Sequence, residues 1–112
     1  MEVGEYIRTK NGLIFKVRKI ETSKIDIYWV NDEIYLLKED IKSHSKDIID
    51  LIEVGDYVNG CKVIGKYKEN NEITLIVDTK YLKTKITNED IKTILTHEIY
   101  EQNCYKVGVE NE

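Results

Sequence analysis

The chain has 112 residues, 41% of them hydrophobic, no proline, and 17 basic against 21 acidic side chains, for a net charge of −4. That length fits one ordinary domain or two very small ones, and halves of about 50 residues bury only a marginal core alone, so two such units should pack together or share a partner. The hydrophobic share excludes a disordered chain, the charge balance lacks the basic footprint of a nucleic-acid binder, and no apolar run approaches the roughly 18 residues of a membrane helix.

In chain order, the first element is Val3-Gly4-Glu5-Tyr6-Ile7, which recurs as Val54-Gly55-Asp56-Tyr57-Val58. Glu39-Asp40-Ile41-Lys42 likewise recurs as Glu89-Asp90-Ile91-Lys92. The offsets are 51 (3 to 54) and 50 (39 to 89), so register is kept across a whole half, and the pattern is that of an internal duplication.

Each half parses alike. A strand begins at the Val-Gly-acid-Tyr element and meets a turn, Lys10-Asn11-Gly12 or Asn59-Gly60, where Asn-Gly is a strong hairpin signal. A second strand is predicted over Leu13 to Ile20 and over Cys61 to Tyr67, with Leu13, Phe15 and Val17 on one face. The third runs from Ile25 to Val30, with Trp29 facing the core and Tyr28 outward, and from Ile73 to Val77. The fourth is Ile34 to Leu37, and Tyr81 to Ile86. Thr87-x-x-Asp90 is a capping-box variant that starts a short turn, a threonine the first half lacks. A fifth strand follows at Ile41 to His44 and near Lys92 to Leu95, then a brief helix at Lys46 to Ile52 and His97 to Gln102. A last strand is predicted at Cys104 to Val107, with fraying at Glu110 to Glu112.

The expected fold is therefore mainly β, a β-rich α+β chain of two tandem SH3-like small barrel units, residues 1–52 and 53–112, each ending in a short helix. A ten-strand mixed sheet or sandwich gives much the same pattern. Fold analogy of this kind carries no function.

The phrases Asp50-Leu51-Ile52-Glu53-Val54-Gly55-Asp56-Tyr57-Val58-Asn59-Gly60 and Glu89-Asp90-Ile91-Lys92…Thr96-His97-Glu98 resemble those of small uncharacterised proteins encoded by phages and prophages of low-GC Gram-positive bacteria. The likeness covers roughly the C-terminal two-thirds of the chain and loosely the N-terminal repeat. It implies a mobile-element setting, in which small non-enzymatic proteins often bind host proteins, including CRISPR and other defence effectors. It transfers no activity, substrate or site residue.

Candidate chemistry is sparse, and no cofactor or metal is expected. Cys61 and Cys104 lack ligand spacing and are expected as reduced thiols. His44 and His97 would need to meet, with Glu98 or Cys104 nearby, to form a site, and sit better at strand-to-helix junctions. Ser43, His44, Ser45 and Asp47 have the residue types of a hydrolytic triad, but neighbours in sequence seldom form one. Gly55, Gly60 and Gly65 are followed by no Gly-Lys-Ser/Thr and are turn or bulge residues. Lys80, Lys83 and Lys85 mark an edge strand guarded by lysines.

The leading expectation is a non-enzymatic protein binder, blocking a host protein such as an anti-phage defence effector. It would present acidic turns and tyrosines (Tyr28, Asp32, Glu33, Tyr35, Glu39, Asp40, Glu69 and Glu72) to a basic partner groove. The alternative is a nucleic-acid patch of Lys16, Arg18, Lys24 and Tyr28, and a third class is a structural or small-ligand-sequestering phage protein. Without a charged-then-apolar leader at Met1 to Glu5, the expected location is the cytoplasm of an infected or lysogenic host cell.

Overall fold

The computed structural model describes residues 1–105 and 107. The predicted strand at Cys104 to Val107 lies partly outside them, and its described residues are not in a strand; the predicted fraying at Glu110 to Glu112 lies wholly outside.

The chain is mainly β. The elements are β1 (Tyr6–Thr9), β2 (Ile14–Lys16), β3 (Lys19–Thr22), β4 (Asp26–Trp29), β5 (Tyr35–Leu37), a 3-10 turn (Lys38–Asp40), β6 (Ile41–Ser45) and a second 3-10 turn (Ile48–Leu51). The second half supplies β7 (Tyr57–Val58), β8 (Cys61–Glu69), β9 (Glu72–Asp78), β10 (Lys83–Ile86), a 3-10 turn (Asn88–Asp90), β11 (Ile94–Leu95) and α1 (His97–Asn103). Hydrogen-bonded neighbours run β2-β1-β6 and β3-β4-β5 in the first half and β10-β9-β8-β7-β11 in the second. Joining β2 to β3 makes the two orders the same: fifth strand beside first, then second, third and fourth. That is the strand order of an SH3-like barrel.

The duplication extends to individual hydrogen bonds. Gly4 N–H donates to Val17 O and Gly55 N–H to Val63 O, each at 2.9 Å. Val17 N–H donates to Glu5 O and Val63 N–H to Asp56 O, each at 2.8 Å. The Val-Gly-acid part of the element is a turn, and the strand starts only at its tyrosine. Gly4 and Gly55 take φ of 96° and 105°, and the acid's carboxylate accepts the N–H three residues back, from Glu2 or Glu53. The strand begins at Tyr6 and Tyr57.

The halves differ where the second strand crosses between sheets. The predicted continuous strand Leu13 to Ile20 is broken, because Val17 N–H turns to Glu5 while Arg18 N–H turns to Trp29 O on the other sheet. In β8 a bulge between Val63 and Gly65 absorbs the same crossing, and one nine-residue strand serves both sides.

The inner face of the first small sheet also corrects the sequence reading. Ile20 and Tyr28 pack toward the buried cluster Ile7, Val17, Val30 and Leu36, while Trp29 lies on the outer face against Tyr35. Ile25, expected in the strand, precedes it and is 57% exposed. The alternation was right, but the polar Lys19-x-Glu21 face of β3 fixes Trp29 on the solvent side, where its indole N–H donates to Glu21 Oε1 at 2.9 Å.

The second core comprises Ile49, Ile52, Val58, Val63, Leu75, Val77 and Ile86. Ile49 and Ile52 reach it from the end of the first half. In return, α1 meets the first half's β1–β2 turn: Thr96, the helix N-cap, donates its hydroxyl to Gly12 O at 2.6 Å. Each half's closing turn is thus packed on the other half. Among the described residues, no helix is long and apolar enough to cross a membrane.

Candidate functional site

Five of the eight acidic and aromatic residues singled out from the sequence gather around β5, a free edge of the β3-β4-β5 sheet. Asn31 Oδ1 accepts the N–H groups of Glu33 and Ile34, at 2.8 and 2.7 Å, which closes the β4–β5 turn and leaves Asp32 and Glu33 exposed at its tip. At the other end, Asp40 Oδ2 accepts Leu37 N–H at 2.9 Å and holds the 3-10 turn that carries exposed Glu39. The strand is therefore bracketed by two acid pairs, although Asp40 is partly occupied in holding its own turn.

The strand between them has an apolar surface on each side. On the outer face Trp29 and Tyr35 are directly opposed, ring centroids 5.0 Å apart. On the other side is an open groove of about 510 Å³, with Leu13, Phe15, Ile34 and Leu36 as its apolar walls and Lys10, Glu39 and Asp40 on its rim. Ile34 and Leu13 are both more than two-fifths exposed. Because Val30 N–H donates to Ile34 O while Leu37 N–H turns away to Asp40, antiparallel alternation directs the N–H and C=O of Tyr35 away from β4, onto the free edge.

The remaining sequence candidates lie elsewhere. Glu69 and Glu72 face each other at the tip of the β8–β9 hairpin, whose Asn70 and Asn71 take positive φ. Glu72 also lines a groove of about 420 Å³ with Asp47, Asp50 and Glu89, in which Lys68 is the only cation among the lining residues. The four residues of the nucleic-acid alternative are not brought together around Tyr28, because that ring packs inward. Lys16 lies over the Tyr6 ring, 5.4 Å from its centroid. Arg18 lines a different groove beside Trp29, and Lys24 sits in the β3–β4 turn. Lys83 and Lys85 are exposed on β10, the edge of the five-stranded sheet. Both cysteines are free thiols.

Neither serine of the Ser43 to Asp47 group hydrogen-bonds a histidine: His44 Nδ1 pairs with Glu5 Oε1 at 2.7 Å, and Ser45 Oγ donates to Asp50. That contact with His44 is the main cause that lowers the Glu5 carboxyl. The two histidines have different partners, since His97 Nε2 pairs with Glu53 Oε1 at 2.8 Å.

Sequence reasoning missed the polar network at the seam between halves. Arg8 of β1 is fully buried and meets Asp56, also fully buried, through two bonds of 2.5 and 2.9 Å. It donates further to Leu51 O at 2.9 Å and Glu98 at 2.5 Å. Its Nε has no hydrogen-bond partner and lies 3.6 Å from Glu53. Lys42 of β6 reaches Glu53 and Glu98, at 2.9 and 2.8 Å. Burial disfavours the Glu98 anion, but Lys42 and Arg8 outweigh it and hold the carboxyl at about 2. The same balance, burial against Lys42, His97 and Arg8, lowers Glu53.

Ligand atoms of Glu53, His97 and Glu98 lie within 4.8 Å of one another, a spacing that could hold a metal ion. Lys42 already bridges the two carboxylates and Arg8 contacts both, so a cation entering there would have to displace one charge and tolerate another. The geometry is that of an ion network whose carboxylates are already engaged by Lys42 and Arg8. Its partners are 48 and 90 residues from Arg8, which is why sequence spacing did not reveal it; the one clue was an acid repeated within a turn motif.

Compared with family models, curated proteins and solved structures, the chain matches none.

Proposed function

We propose that this is a non-enzymatic binding protein that blocks a basic surface of a host protein, an anti-phage defence effector being the partner class favoured by its phage-like phrases. The observation that carries the reading is the β5 edge, where Asp32, Glu33, Glu39 and Asp40 bracket an exposed Tyr35 whose ring packs at a tilt against Trp29. Tyrosine and tryptophan supply large contact area at small entropic loss, and surrounding acids steer a basic partner and orient it. Engagement of the seam carboxylates by Lys42 and Arg8 directs attention to this edge instead.

The test compares capture from host extract by the wild-type protein and by a Glu33→Lys/Glu39→Lys variant, with a protection assay in infected cells. Both residues are exposed, so the reversal should leave the fold intact. The expected result is one stoichiometric host protein, lost in the variant along with protection. Capture and protection that are indifferent to the reversal would defeat the assignment to this edge.

A further inference from the structure

The repeat places β5 and β10 at equivalent positions, and the two edges carry opposite charge. Aligning Asp40 with Asp90 sets Leu36 on Ile86, Tyr35 on Lys85, Ile34 on Thr84 and Glu33 on Lys83. Both Leu36 and Ile86 are buried, and Leu37 and Thr87 both donate their N–H to the aspartate three residues on, so the alignment holds in the fold. Each strand is the outermost of its sheet, β5 beside β4 and β10 beside β9. The acidic, aromatic edge of one half thus corresponds to the lysine edge of the other.

From this complementarity we infer that a second copy of this chain docks its β10 against β5, antiparallel, so that copies join head to tail. In the register that opposes Glu33 to Lys85 and Tyr35 to Lys83, Leu36 comes opposite Leu82. Opposite charges and a lysine over an aromatic ring are favourable cross-strand partners. By the same alternation as Tyr35, Lys83 and Lys85 turn their main-chain N–H and C=O to the free edge, since Thr87 N–H is already turned outward to Asp90. Leu82, 62% exposed just before β10, has the Leu13, Phe15 and Leu36 groove within reach of this pairing. Like edges are kept apart: β10 on β10 opposes lysines, and β5 on β5 opposes acids. The contact joins two different surfaces, so assembly continues into a ring or an open chain unless something occupies an edge. A basic host partner at β5 would compete with it.

The inference concerns the same edge as the binding reading but does not depend on a host partner, so it is tested on the purified protein alone. Sedimentation of the wild type should show mass rising with concentration above the 13.2 kDa monomer, and falling as salt screens the pairs. Lys83→Glu/Lys85→Glu should weaken association by about tenfold or more, and Glu33→Lys should do the same. Mixing the two variants should restore association, because each then offers the edge the other lacks. A wild type that stays monomeric overturns the inference. So does association that survives both reversals, or a mixture that stays monomeric.

Discussion

The two halves share one topology and even the same turn hydrogen bonds, yet they are unequally self-sufficient. The first core has four buried apolar side chains, Ile7, Val17, Val30 and Leu36. The second has seven, and two of them, Ile49 and Ile52, come from the segment that ends the first half. The same division appears in the turn motif. Glu5 pairs with His44, which is partly exposed, whereas Asp56 is sealed around Arg8 from the other half. The two copies of the scaffold meet at a seam where Arg8 and Lys42 of the first half pair with Glu53, Asp56 and Glu98 of the second, while Lys66 of the second half donates back to Asp50 O and Ile52 O.

The strongest way to break this comparison is to remove the motif acid from each half in turn. Asp56→Ala removes two bonds from a buried guanidinium and orphans the N–H groups of Glu53 and His97, and should destabilise by about 3–5 kcal/mol, whereas Glu5→Ala should lose about 1 kcal/mol. Urea unfolding followed by Trp29 fluorescence reads both, and equal losses would contradict the asymmetry.

Acid provides the next test. The Glu98 carboxyl is lowered from 4.5 to about 2, so its contribution is fully present above pH 4.5 and is lost as pH falls toward 2. A shift of that size is worth on the order of 3 kcal/mol. Stability should therefore drop between those pH values in the wild type, and Glu98→Gln should flatten that limb while lowering the plateau above it.

The smallest effect sharpens the seam. Gly4 and Gly12 have nearly the same positive φ, 96° and 93°, but a Cβ on Gly4 meets nothing while one on Gly12 lies 2.6 Å from Thr96 Oγ1 and 2.7 Å from Glu98 Cβ. Gly12→Ala should exceed Gly4→Ala by about 1–2 kcal/mol in denaturation. Equal midpoints would show that α1 is not seated on that turn.

Much of the scaffold was legible in the sequence. Val-Gly-acid-Tyr, Asn59-Gly60 and Thr87-x-x-Asp90 each specify a local hydrogen bond, and local chemistry survives without knowledge of the fold. Alternation placed Ile73, Leu75 and Val77 toward one core, because β9 has apolar residues on that side at each step. It misassigned Trp29 because both faces of β4 are apolar, and only the neighbouring strands decide which is inside. For the candidate site, the acid pairs around β5 could be seen as turns, but that they flank one free edge beside a groove depends on Phe15 and Leu13 arriving from another sheet. Nothing near Arg8 in sequence revealed that three carboxylates converge on it.

The long reach of Arg8 also has a consequence in time. Its last carboxylate partner, Glu98, is made 90 residues after it. At translation speeds of about 5–20 residues per second, the guanidinium waits roughly 5–20 s for that partner. A first half that has already emerged from the ribosome must hold this cation in water, with the seam surface uncovered, until the second half is synthesised. Synonymous slow codons between the halves should therefore lower soluble yield more than the same codons placed before Arg8.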